Sequence, residues 1–210
     1  MNTNNIIAVV AVIAIAIAFV NLSVTLMKTD EFEKLTGFGV LRGSVNITII
    51  SFRDINFTRP EINFSYGSLD AGVGNATLYT TGAGTPVIAR GNWSTAVASA
   101  KGLILENIGS VNSSVVIASG VNATQLFAGT AAERAYKWNI SNKETGSCTG
   151  GTLTFSIFND VNQSTKVCSQ FSSLTASNEI YIDLLLSIPY DTTASSTVGD
   201  TITATAGVSG

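Results

Sequence analysis

Histidine is absent from all 210 residues of this chain. That removes the commonest general base and the commonest metal ligand together. Charge is also sparse: Asp, Glu, Lys and Arg make up 12% of the chain, about half the ~25% of an ordinary soluble domain. The surface must stay wet through hydroxyls and amides instead. The net charge is −3 and no basic face is available, so nucleic acid, which needs clustered Lys and Arg, is not an expected partner. There is no Gly-x-Ser-x-Gly elbow, no phosphate-cradling glycine loop and no Cys–His pair. The fourteen acidic residues are scattered, and Asp30, Glu31 and Glu33 form their one cluster. That cluster adjoins a hydrophobic segment and reads as solvated charge. The chain therefore reads as a non-enzyme with no cofactor and no metal site.

What is present is length enough for one large or two small domains with a real core, and a single pair of cysteines. Cys148 and Cys168 lie close enough to close a short loop. On an exported chain they read as a disulfide, which in the chain-entropy model stabilises by about 3 kcal/mol. The alternative is two buried free thiols.

Residues 6–20 are unbroken apolar sequence, and only Asn21, Ser23 and Thr25 interrupt it up to Met27. As a helix, residues 6–27 would span about 33 Å, enough for a ~30 Å hydrocarbon core. Residues 1–28 are therefore expected to form one long hydrophobic helix. Three readings fit it: a cleaved signal peptide, an uncleaved membrane anchor, or a pilin-like helix that leaves the membrane and packs as a filament core. Met-Asn-Thr-Asn-Asn lacks the basic n-region of a signal peptide, although Ala14-Ile-Ala16 and Ala16-Ile-Ala18 would serve as cleavage sites. The short basic leader and the small residue before the apolar run, which mark class III pilin signals, are missing too. Lys28 and Lys34 would favour a cytoplasmic body by the positive-inside rule, whereas a body rich in glycosylation triplets belongs outside.

Residues 29–43 read as a linker: a charged patch at 28–33, then Leu35-Thr-Gly-Phe-Gly39 with two hinge glycines. From 44 to 210 the dominant period is two. Val45, Ile47 and Ile49 alternate with Asn46 and Thr48, as in a half-buried strand. Similar runs occupy 76–80, 102–106, 114–118, 135–140, 152–158, 179–188 and 200–206. Turn clusters such as Gly72-Val-Gly-Asn75 and Thr81-Gly-Ala-Gly-Thr85 separate them. Leu184-Leu-Leu186 breaks the alternation, as a central strand covered on both faces would. Residues 96–105 and 123–135 have room for a helical turn or two. The expected fold is mainly β, an antiparallel immunoglobulin-like sandwich preceded by one long N-terminal hydrophobic α-helix.

Ten Asn-x-Ser/Thr triplets occur, none with a central proline. Random placement of 17 asparagines among 48 serines and threonines would give about four. Besides the triplet at Asn21, the candidate glycosylation sites are Asn46, Asn56, Asn63, Asn75, Asn92, Asn112, Asn122, Asn139 and Asn162. The competing reading is exposed strand faces on which Asn and Thr simply alternate with apolar residues. Trp93 lies inside one triplet and Trp138 precedes another; each reads as a core or covering residue, or else as a platform for sugar. Asp160-Val-Asn162-Gln-Ser164 starts like a calcium loop. It has Thr165 where the loop needs glycine and Phe171 where it needs glutamate, so it reads as a polar turn.

Several stretches together carry a resemblance: Leu35-Thr-Gly-Phe-Gly39 leading to Ser44-Val-Asn-Ile-Thr48, Leu103-Ile-Leu-Glu-Asn-Ile-Gly-Ser-Val-Asn112, Tyr136-Lys-Trp-Asn-Ile-Ser-Asn142 up to Cys148, and Ile182-Asp-Leu-Leu-Leu-Ser-Ile-Pro189. On these the chain resembles archaeal surface proteins that pair one N-terminal helix with a sequon-rich β body. The resemblance implies an envelope or filament subunit and carries no catalytic residue across. The expected function is a self-assembling, N-glycosylated structural subunit outside the cell, a pilus-like filament or surface layer. Its partners are copies of itself, with membrane contact through residues 6–27 before assembly. A strand such as 200–206 would complete a neighbour's sheet. The alternative is a membrane-anchored adhesin or sugar-binding module.

Overall fold

The structure, a computed structural model, describes residues 11–21, 23, 47–48, 50–94, 98, 100–128, 131–161, 164–192 and 198–210. The chain divides into two compact units, Met1–Ile49 and Ile50–Gly210. In the first unit residues 11–21 are helical (α1). Among the described residues no helix is long and apolar enough to cross a membrane. The expected 6–27 span runs beyond α1 on both sides into residues outside the described ones, Ser23 excepted, and the expected linker at 29–43 lies outside them entirely. Ile47 and Thr48, expected within a first strand, are in none, and Ile47 is exposed.

The second unit is mainly β, and every strand pairing in it is antiparallel. Its strands are β1 (Ile55–Arg59), β2 (Gly67–Leu69), β3 (Asn75–Tyr79), β4 (Val87–Ala89), β5 (Gly91–Trp93), β6 (Leu103–Asn107) and β7 (Ser113–Ser119). After a single helical turn, α2 (Ala123–Leu126), come β8 (Ala135–Asn142), β9 (Cys148–Thr149), β10 (Asn159–Asp160), β11 (Thr165–Phe171), β12 (Glu179–Pro189) and β13 (Ile202–Val208).

β12 organises the larger sheet. β8 pairs along one edge, from Ile180↔Asn142 to Ser187↔Ala135. The other edge is shared end to end, first by β6 (Glu179↔Glu106 to Ile182↔Leu103) and then by β3 (Leu185↔Tyr79 to Pro189↔Asn75). β1 extends the sheet from β6, β4 from β3 and β10 from β8. The second sheet runs β13-β7-β11-β9, and β2 with β5 forms a separate ribbon.

The main core draws on both large sheets. Ile180, Ile182 and Leu184 of β12 and Tyr136, Trp138 and Ile140 of β8 meet Val115 and Ile117 of β7 and Val167 and Phe171 of β11. Strict alternation along β8 causes this: even positions turn inward while Lys137, Asn139 and Ser141 face outward. Each aliphatic or aromatic side chain so buried contributes about 1.5–3 kcal/mol. The Leu184–Leu186 run behaves only partly as expected. β12 is central, with partners on both edges, but Leu185 and Leu186 are half-buried and only Leu184 is fully covered.

The expected strand at 152–158 is a correction: these residues form turns. Gly150 and Gly151, with φ of 68° and 139°, turn the chain out of β9 in a conformation that residues with a Cβ rarely adopt. Thr152 then bonds back to the carbonyl of Lys166 (2.9 Å) and Ser156 to that of Ile140 (3.1 Å). The segment thus crosses from one sheet to the other, and its alternating Leu153 and Phe155 pack on the core from above.

Candidate functional site

The cysteine pair is joined. The Cys148–Cys168 disulfide has a Cα–Cα distance of 5.7 Å and ties β9 to β11 inside the second sheet. Both residues are buried. The other polar anchors of the body are also structural. Asp200, just before β13, accepts from Tyr136 Oη (2.8 Å), Ser119 Oγ (2.6 Å) and the Gly120 amide (3.0 Å). Burial first, then the bond to Asp200, pushes the Tyr136 phenol well above its usual range. Lys143 is raised chiefly by its hydrogen bond to Glu179, an exposed pairing across the β8–β12 ladder. Among the described residues no three His, Cys, Asp or Glu side chains converge on a metal position. Asp160 of the calcium-like turn forms an ion pair with Lys137 at 3.3 Å, and Asn162 lies outside the described residues, as does Asn46.

Apart from Asn21 of α1, the seven remaining sequon asparagines divide by exposure and by which amide atom is engaged. Asn56 on β1 and Asn92 on β5 are exposed, and neither side chain bonds a described residue. Asn63, Asn112 and Asn122 are exposed too, and each uses its carbonyl oxygen. Asn63 Oδ1 accepts from the Ser65 amide at 2.7 Å. Asn112 Oδ1 accepts from the Ser173 amide at 3.1 Å. Asn122 Oδ1 takes Thr124 Oγ1 (2.6 Å) and the Thr124 and Gln125 amides (3.0 and 3.1 Å), capping α2. Asn75 is the opposite case. It is buried, and its Nδ2 donates to Ser187 Oγ at 2.6 Å. Asn139 sits mid-ladder on β8 opposite Asp183, half-buried, with its Oδ1 fully buried and without a hydrogen-bond partner among the described residues.

The tryptophans separate as well. Trp138 is wholly buried in the main core, which removes it as a sugar platform. Trp93 lies across the β2–β5 ribbon, and a Cβ at Gly67 or Gly91 would collide with its indole. Those two glycines are what let the ring lie flat on backbone. Beside it a cleft of about 1060 Å³ runs between the 57–69 segment and residues 184–192 and 198–202, with Leu103, Phe127, Leu184 and Ile188 in its apolar wall and Asn63 and Ser65 among its polar lining. Two hydroxyls meet here, Ser94 Oγ donating to Ser65 Oγ at 2.9 Å. The cleft leaves no trace in the sequence pattern, because its wall comes from segments more than a hundred residues apart.

Compared with known proteins, the chain matches no family model, no curated protein and no solved structure.

Proposed function

We propose that this chain is a structural subunit that assembles with copies of itself outside the cell, in a filament or surface layer, with an immunoglobulin-like sandwich as its body. The observation that carries the reading is α1. Every residue from Ala11 to Val20 is apolar, and Val12, Ile13, Ile15, Ile17, Phe19 and Val20 are each more than half exposed. A helix without a polar face has to be covered on all sides. Copies of the same helix supply that cover in an assembly, and lipid supplies it beforehand. The two antiparallel sheets around one core support the sandwich. The disulfide and the excess of sequons support an oxidising, extracellular setting.

Negative-stain microscopy of native full-length material tests this, alongside an Ile15→Asp variant. Filaments or lattice from the native chain, lost in the variant, are the expected result. Monodisperse native particles would overturn it. The cleft beside Trp93 favours one second reading, a sugar-binding surface module. Glycan binding that disappears in Trp93→Ala, with the thermal transition retained, would put that reading first.

A further inference from the structure

We propose that N-linked carbohydrate is attached at Asn56, Asn63, Asn92, Asn112 and Asn122 and is excluded from Asn75. The inference rests on the extracellular placement of the proposed assembly, and it adds a chemical criterion that the triplet pattern lacks.

The glycosidic bond forms between Asn Nδ2 and C1 of the sugar. The C1–O bond to the phosphate group of a lipid-carried glycosyl donor breaks, the phosphate leaves with the bonding pair, and one amide proton passes to the transferring enzyme's base. The carbonyl oxygen is untouched. A sequon asparagine can therefore keep every contact made through Oδ1 but must give up contacts made through Nδ2, and a hydrated, bulky group must reach solvent from that nitrogen.

The five sites meet both conditions. All are exposed. Asn63, Asn112 and Asn122 bond through Oδ1 and leave Nδ2 free of described partners. Asn56 and Asn92 bond through neither atom. Asn75 fails both: it is 8% exposed and its Nδ2 holds Ser187 Oγ at 2.6 Å. That hydroxyl in turn donates to the carbonyl of Glu133, so a sugar at Asn75 would displace a buried chain of hydrogen bonds, and a glycan added before folding would keep β3 from closing on β12. Asn139 falls between the two cases: it is half-buried on the outward side of β8, its oxygen alone is buried, and its Nδ2 bonds no described residue.

The placement is asymmetric. Strand sequons fall on the larger sheet and on the β2–β5 ribbon, whereas no sequon asparagine lies in β7, β9, β11 or β13. The strands of the second sheet therefore bear no carbohydrate of their own, and the nearest proposed sites, Asn112 and Asn122, flank β7 at its two ends.

Glycopeptide mass spectrometry of native full-length protein reads each site separately. Sugar at the five sites and a bare Asn75 is the expected result. Sugar on folded material at Asn75, or five bare sites, overturns the proposal. Asn63→Asp, Asn112→Asp and Asn122→Asp keep an oxygen acceptor while deleting the attachment nitrogen. Each is expected to remove one glycan mass and leave the thermal transition near that of the parent. Microscopy of the same sample separates the two ideas: glycosylated single particles remove the assembly reading alone, and bare filaments remove this one alone.

Discussion

Asp183 Oδ1 accepts a hydrogen bond from Thr80 Oγ1 at 2.7 Å, and both residues are buried. The same oxygen takes the Gly82 amide at 2.6 Å, while the Leu184 amide donates to Thr80 Oγ1 at 3.1 Å. The pair sits where β12 leaves β6 after Ile182↔Leu103 and meets β3 at Leu185↔Tyr79. One carboxylate thus closes the gap between two strands that share an edge. Arg59 braces the same corner, donating to the carbonyls of Gly82 and Gly102 at 3.3 and 2.9 Å.

Asp183→Ala leaves a buried hydroxyl and a buried amide without an acceptor. Hydrogen bonds to charged groups contribute about 1.5–3 kcal/mol each, and orphaned buried donors cost a similar amount. A loss of about 3 kcal/mol in denaturant unfolding is expected. Asp183→Asn keeps one oxygen in place and should lose about a third of that. Equal, small losses in both variants would show that the corner is held by backbone pairing alone.

Burial of the Tyr136 phenol, with its bond to Asp200, is expected to make stability fall on the alkaline side. The phenol's ordinary value is 10.0, and burial followed by the Asp200 contact raises it in the fold. A raised phenol favours the folded state fully while it is protonated in both states, below pH ~10. That contribution then declines as pH rises above 10 and the unfolded chain ionises first. Tyr136→Phe should lower stability near neutrality by about 1–2 kcal/mol, because Asp200 loses a donor. It should also flatten the decline above pH 10. Parallel pH profiles for the two proteins would contradict this.

Reducing Cys148–Cys168 reopens a sequence separation of 20 residues, so the unfolding midpoint should fall by the equivalent of about 3 kcal/mol. Both sulfurs are buried, and reduction in native buffer should lag far behind reduction in denaturant. Rapid labelling of two thiols in the untreated native protein would refute the bond itself.

The mainly β class was legible because β8 obeys the two-residue period throughout and β12 does so over its first residues: Tyr136, Trp138 and Ile140 face inward, as do Ile180 and Ile182, before Asp183 and Leu184 break the phase. β11 is illegible at that level because Lys166, Ser169 and Gln170 blur its pattern and two register shifts break its ladder with β7. β1 is hidden for another reason: Arg59 takes an inward position, which a polarity rule assigns to the surface. Residues 152–158 mislead in the opposite direction. A clean alternation serves a crossover there, since period two reports which side chains are buried and says nothing of whether a neighbouring strand is within reach. The disulfide was visible as a pair of cysteines. The sequons were visible as triplets, but the difference between Asn75 and Asn63 lies in the atom each one engages, and no string of letters records that.

β13 pairs with β7 in seven consecutive steps, Ile202↔Ser119 to Val208↔Ser113, with no register shift. The segment expected to complete a neighbour's sheet thus completes its own. Its other edge has no strand partner among the described residues. Residues 202–210 carry no charged side chain and no proline, so the edge lacks the charges and prolines that commonly prevent strand addition. A second copy aligned antiparallel would extend the sheet through backbone bonds. Thr205 is exposed on that strand, and a lysine there brings a charge that must be desolvated for an incoming strand to pair. Thr205→Lys should leave the thermal transition of the single chain within about 1 kcal/mol of the parent while reducing assembly by sedimentation at least tenfold. Assemblies formed unchanged by this variant would mean that copies join elsewhere, and α1 would then have to hold them alone.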